Sequence, residues 1–245
     1  MSEQAIGLPT ELHKACQQHR DITGGWARAA IFGISDGLVS NASLVLGMEG
    51  AHPAIAAIRL AGIAGLLGGA LSMAAGELVS MRAQAELLQH ELEVEREEIE
   101  RDPEHEREEL ALIYRRRGLT PAMADVIATE MMATPELALE AHAREELGID
   151  PHSLGSPLGA AVASFCSFAL GALVPLLALF VARGQHVALL AAVLSGGVAA
   201  VVGALLGRFS GRPVWRASLR QLAVCATAAG VTYAIGTAVG QIKGL

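Results

Sequence analysis

The sequence predicts an all-α protein: a polytopic membrane bundle of five transmembrane helices with a helical cytoplasmic insert. Three observations predict it. Of 245 residues, 52% are hydrophobic and 18% charged, and the mean hydropathy is +0.43, well above the balance of a soluble chain of this length. Five stretches, about 28–49, 54–81, 157–182, 187–207 and 217–241, could each cross the hydrocarbon of a bilayer, which takes roughly 20 residues. Nineteen of the 25 acidic residues fall within 82–152, where no apolar run occurs.

In chain order, residues 1–26 are polar, with Lys14 and Arg20, and read as a cytoplasmic N-terminal segment without a cleavable signal peptide. Residues 27–81 carry spans one and two. Span one holds a carboxylate in an apolar run, "SDGLVSNASLVLG". At helical spacing Asp36, Ser40, Ser43 and Gly47 share one face. A charge in lipid costs several kcal/mol, so Asp36 has either a structural role, paired with an arginine such as Arg28, or a place on a watery path. The row of oxygens along its face favours a cation path. Span two offers a comparable face of Gly65, Gly69, Met73, Glu77 and Ser80. Met73 alone would read as packing. Beside an Asp, its soft sulfur suits a borderline ion such as Fe²⁺ better than Mg²⁺ or Ca²⁺.

The insert, 82–152, parses into helices of about 82–101, continuous with span two, then 103–117, 121–133 and 135–147. Asp102-Pro103, Thr120-Pro121 and Thr134-Pro135 each set a capping side chain before a proline at the first helical position. Glu104, Glu106 and Glu136 then fall in first turns, where the helix dipole favours them. Gly118 and Gly148 are natural stops. Glu95 and Glu98 stand at i, i+3, and Glu106 and Glu109 repeat the spacing on the next helix. An antiparallel turn at Asp102 would bring both pairs together, as carboxylates converge in metal-binding bundles. His142 and Glu146, at i, i+4, could add an imidazole. The competing reading is a solvated face interleaved with arginines, and spacing alone does not choose among so many glutamates.

Residues 153–245 carry spans three to five. Basic residues set the orientation: Lys14, Arg20 and Arg28, the insert, and Arg208, Arg212, Arg216 and Arg220 mark the cytoplasmic side, while Arg183 and Lys243 are the few on the other. The N-terminus and the insert are therefore expected inside and the C-terminus outside. Gly65-xxx-Gly69, Gly203-xxx-Gly207 and Gly236-xxx-Gly240 are small-residue contact faces. A homodimer packed through spans one and two is expected, because one bundle would shield Asp36 poorly. Cys16, Cys166 and Cys225 are far apart, so neither a disulfide nor a cysteine metal site is expected. There is no nucleophile–base pair or zinc signature of an enzyme, and no nucleic-acid partner is expected. Two lysines against sixteen arginines hint at a GC-rich bacterial genome, so the expected location is a bacterial inner membrane.

"SDGLVSNASLVLGMEGA" (35–51), "GGALSMAAGELVS" (68–80) and the acidic insert resemble the vacuolar iron transporter family, over roughly residues 24–242. The resemblance implies five transmembrane helices, a homodimer, and export of Fe²⁺, often also Mn²⁺, from the cytosol in exchange for protons. It implies that Asp36 and Met73 line the path at the dimer interface, and that Glu95, Glu98, Glu106 and Glu109 bind metal. Two departures stand out. Some members have a glutamate where this chain has Gly65, and Glu77 is a candidate substitute. Some have a Met-Met pair before a final ligand glutamate, where this chain has His142, Ala143 and Glu146; "EMM" at 130–132 lies on a different helix.

The resulting expectation is a proton-coupled exporter without a resident cofactor, with Fe²⁺ and Mn²⁺, and more distantly Zn²⁺ or Co²⁺, as cargo. Protons and metal compete for the same carboxylate lone pairs, which couples the two fluxes. The alternative is a membrane-anchored metal sensor or scaffold, for which polar faces on two spans have no use.

Overall fold

The computed structural model describes residues 25–150, 155–184 and 186–242, with side chains from residue 32 onward. Lys14, Cys16, Arg20 and Lys243 lie outside the described residues, as does the side chain of Arg28. Eight helices and no strand occur among the described residues: α1 (Gly25–Gly50), α2 (Ile55–Arg101), α3 (Pro103–Arg116), α4 (Pro121–Met131), α5 (Pro135–Glu145), α6 (Pro157–Val181), α7 (His186–Phe209) and α8 (Val214–Ile242). The chain divides into two compact units, one of Met1–Ala75 with Gly159–Leu245 and one of Gly76–Leu158.

In the first unit α1 packs against α7 and α8. It also crosses α6 at very short range. A Cβ on Gly37 would collide with the Phe168 carbonyl, and one on Gly171 with the Ile34 carbonyl, so the crossing requires glycine on both helices. Val45, Leu46, Ile58, Leu176, Leu179, Val187 and Ala229 form one buried cluster; Leu38, Ala42, Ala199 and Cys225 form another. The outward surface is also apolar, with Leu60, Phe180, Leu205 and Ile235 all more than half exposed. Water would penalise such a surface and hydrocarbon does not. Four helices, α2, α6, α7 and α8, are long and apolar enough to cross a membrane. The remaining expected span falls on α1, 26 residues long.

The three glycine pairs serve as close-contact faces within the chain. Gly65 and Gly69 face Asn41, Leu44 and the Phe168 ring; Gly203 and Gly207 face Val214, Ala217 and Ser218; Gly236 and Gly240 face Gly47 and Ala51. Small-residue motifs mark close helix contact, and here the contacts are intramolecular.

Arg59, which the hydropathy reading passes over, sits inside the apolar part of α2. Its Nε and Nη2 donate to the Leu179 carbonyl at 3.0 and 2.7 Å, and its guanidinium lies 5.0 Å from the Phe180 ring centre. That carbonyl lies in the last turn of α6, where intrahelical donors run out. Arg59 is therefore a charged cap, placed at the negative end of the helix dipole.

The second unit comprises the end of α2 with α3, α4 and α5. Asp102, Thr120 and Thr134 cap the three short helices, accepting from the backbone N–H of His105, Met123 and Leu137 at 3.2, 3.4 and 3.3 Å. A proline opens each helix. Gly118 (φ 99°) and Gly148 (φ 67°) adopt the left-handed conformation that ends a helix. The core is small: Leu110, Ala111, Ala128 and Ala141, edged by Tyr114 and Met131.

Candidate metal centre

Most acidic side chains of the second unit face solvent. Glu93 pairs with Arg96 and Glu104 with Arg107, both at three-residue spacing on an exposed helix face. Arg115 pairs with Asp125 and Arg117 with Glu145, tying α3 to α4 and to the end of α5. For Glu93 and Glu104 the solvated-face reading holds.

Glu95 and Glu106 differ: both are buried, on α2 and α3, and both point at His142 of α5, which is fully buried. His142 Nδ1 lies 3.0 Å from Glu95 Oε1, 3.3 Å from Glu146 Oε2 and 3.9 Å from Glu106 Oε2. Glu146 is the C-cap of α5, one turn beyond His142, so local helix geometry delivers it to the ring. One Nδ1–H cannot satisfy three carboxylates. Glu95 Oε1 makes no aligned hydrogen bond despite its short distance, and His142 Nε2 is buried without a partner. Glu98 and Glu109, both half-buried, stand near enough for their charges to act on Glu106.

The electrostatics follow. Burial pushes the Glu106 carboxyl above its usual range, and the charge of Glu95 adds to the rise. Burial likewise raises Glu146. For His142 burial works against the proton, but the Glu95 and Glu146 carboxylates outweigh it and the imidazole is raised overall. The cluster thus holds more negative charge than its burial tolerates, and a cation, whether a proton or a metal, relieves it. Glu95, His142 and Glu146 offer ligand atoms within 4.8 Å of one another, a mixed oxygen–nitrogen set suited to a divalent transition metal.

A second triad, His105, Glu106 and Glu109, meets the same criterion, and its Glu106 lies 3.9 Å from His142 of the first. His105 was not anticipated from the sequence, although its i, i+1, i+4 spacing to Glu106 and Glu109 on α3 was visible. It is exposed, at the outer edge of the cluster.

In the first unit Asp36 and Ser40 are exposed together, and Ser40 Oγ donates to Asp36 Oδ1 at 3.4 Å. Ser43 departs from that face: it is buried, and its hydroxyl makes no hydrogen bond. Met73 is half-buried against Ala70, Phe168 and Ala172. Glu77 is half-buried and Ser80 exposed, both on the part of α2 that belongs to the second unit.

A sequence model of the VIT family matches residues 27–237. The chain is 42% identical over 155 residues to a vacuolar iron transporter of Acanthamoeba castellanii, covering 63% of this chain but only 56% of that protein. It is 29% identical to vacuolar iron transporter 1 of Oryza sativa subsp. japonica, covering 95% of this chain and 96% of the rice protein. A third relative, vacuolar iron transporter 1 of Eucalyptus grandis, is 27% identical over 94% of each chain. These relatives are transporters rather than enzymes. The match over most of the chain, with four apolar helices of membrane-spanning length, places this integral membrane protein in the VIT family.

Proposed function

We propose that this protein is a proton-coupled transporter that exports Fe²⁺, and Mn²⁺, from the cytosol. The observation that carries the reading is the convergence of Glu95, Glu106 and Glu146 on the buried His142, in a chain whose relatives are named iron transporters. In this reading α1, α2, α6, α7 and α8 span the membrane, with the N-terminus and residues 82–152 cytoplasmic and the C-terminus outside. The acidic cluster captures hydrated metal, and Glu98 and Glu109 at its margin, with His105, replace part of the ion's water.

The ion then moves to Asp36 and Met73, a hard oxygen and a soft sulfur, between two copies of the chain, with Ser40 and Glu77 as further polar groups. Protonation of Asp36 from the outer side releases metal, because proton and cation occupy the same lone pairs. Ser43 is buried within the protomer, so its part is confined to the backbone contact it makes with Thr232. The reading is tested by metal flux into proteoliposomes across an imposed pH gradient. Uptake of Fe²⁺ or Mn²⁺ that rises with the gradient and collapses with a protonophore is expected. Flux indifferent to the gradient would remove proton coupling, and no flux at all would remove transport.

A further inference from the structure

Residues 151–245 hold five arginines and no aspartate or glutamate. Four of the five, Arg208, Arg212, Arg216 and Arg220, lie at the turn from α7 to α8. All four are exposed, and none forms an ion pair among the described residues. The turn that presents them is firmly held. A Cβ on Gly203 would stand 2.6 Å from Ser218 Cα, so the two helices meet backbone to backbone. Ser218 Oγ donates to the Ala200 carbonyl at 2.9 Å across the same contact, and the Arg212 N–H donates to the Gly207 carbonyl at 3.0 Å.

Basic loops orient a membrane protein, and for Arg208 and Arg212 that role suffices. Arg216 and Arg220 go beyond it. They stand one turn apart on α8, a helix apolar enough to cross a membrane, and like charges at that spacing repel. Arg220 is six residues past Val214, about 9 Å along the axis. The next residue, Gln221, already donates to Ser35 of α1 within the bundle. A cation at that depth without a counter-ion is costly. Trp215 and Phe209 flank the turn with rings 63% and 60% exposed, and the Arg216 guanidinium lies 5.2 Å from the Trp215 ring centre. Tryptophan settles at the headgroup level of a bilayer, and long arginine side chains reach toward it.

We propose that the α7–α8 turn is a binding site for an anionic phospholipid. The guanidinium forks of Arg216 and Arg220 take the phosphate oxygens, and Arg208 and Arg212 add to the positive field over the headgroup. A soluble phosphate would satisfy the arginines and leave the two exposed rings uncovered; a lipid covers both. The site is independent of the transport reading.

The test uses the full-length protein in a neutral detergent, with dioctanoylphosphatidylglycerol as the probe and the rise in unfolding temperature as the measure of binding. This lipid should stabilise the wild type, and neither dioctanoylphosphatidylcholine nor glycerol phosphate should. Arg212→Gln/Arg216→Gln/Arg220→Gln should weaken its binding by roughly fivefold for each arginine removed. Arg96→Gln/Arg107→Gln/Arg144→Gln, an equal loss of charge on the second unit, should leave it unchanged. If the first triple variant does not fold, Arg216→Gln and Arg220→Gln are measured singly, each against the same loss. Stabilisation by glycerol phosphate equal to that by the lipid would show a soluble-phosphate site, and equal losses in the two triple variants would show a diffuse attraction. Either result overturns the proposal. So does undiminished binding in the turn variants, or a wild type that phosphatidylglycerol does not stabilise.

Discussion

Glu95 Oε1 stands 3.0 Å from His142 Nδ1, and yet the two are not aligned as donor and acceptor. Glu146 competes for the same ring nitrogen at 3.3 Å, with Glu106 behind it at 3.9 Å. Three carboxylates from three segments thus surround a site that one proton cannot satisfy. A cation held among them would take one oxygen from each, and that sets the expectations for this unit.

Metal affinity should depend on the inward carboxylates and not on the outward ones. Glu95→Ala/Glu98→Ala should weaken Mn²⁺ binding by about tenfold or more, since even outer-shell changes cost 10–100-fold. Glu93→Ala/Glu97→Ala, on the exposed face of the same helix, should change it little. Calorimetry on the full protein in detergent checks this. Equal losses in both variants would reduce the unit to an acidic sponge.

Without metal, this unit should lose stability as the pH rises. Glu106 and Glu146 have folded pKa values above 4.5, and His142 above 6.5, so all three bind protons more tightly folded than unfolded. Their stabilisation is complete below the unfolded values and is lost as pH rises through the raised ones, a window opening near 4.5 and closing above 6.5. Thermal unfolding in a chelator should drop over that window, with roughly 4–8 °C for each kcal/mol in a unit of this size. Added Mn²⁺ should restore stability increasingly toward higher pH, where fewer protons compete. An apo protein that becomes steadily more stable from pH 5 to 8 would contradict the burial argument.

Transport should require the exposed carboxylate of α1 and the thioether of α2. Asp36→Ala and Met73→Ala are expected to reduce Fe²⁺ flux to a small fraction of wild type while the protein still inserts. Met73 also packs on Phe168, so Met73→Leu, which keeps the packing and loses the sulfur, separates the two roles. Full flux in Asp36→Ala would end its assignment to the path.

Arg59 should matter for stability. Arg59→Ala removes both bonds to the Leu179 carbonyl and the contact with Phe180. Hydrogen bonds to a charged group contribute about 1.5–3 kcal/mol, so detergent unfolding should occur several degrees lower. Arg59→Lys should recover only part, since an ammonium cannot match the fork of the guanidinium. An unchanged unfolding temperature in Arg59→Ala would show that the cap is dispensable.

The amino-acid sequence alone determined the elements of this protein, because their causes are local. Apolar runs long enough for a bilayer, Asp or Thr followed by Pro at each short helix, and Gly118 and Gly148 at helix ends act over a few residues; the observed boundaries fall within a few residues of those expected. What those elements face was decided by tertiary structure. Glu93, Glu95, Glu97 and Glu98 differ little in type or spacing, and only the arrival of α3 and α5 buries Glu95 against His142 while Glu93 stays on a solvated face. A single-helix pattern likewise placed Ser43 beside Asp36, but the packing of the bundle turns Ser43 inward and leaves Asp36 exposed. Each glycine pair promised a close contact without naming its partner, and the fold assigned all three to the chain itself. Local backbone chemistry is written in neighbours along the chain; burial and convergence arise only when distant helices meet.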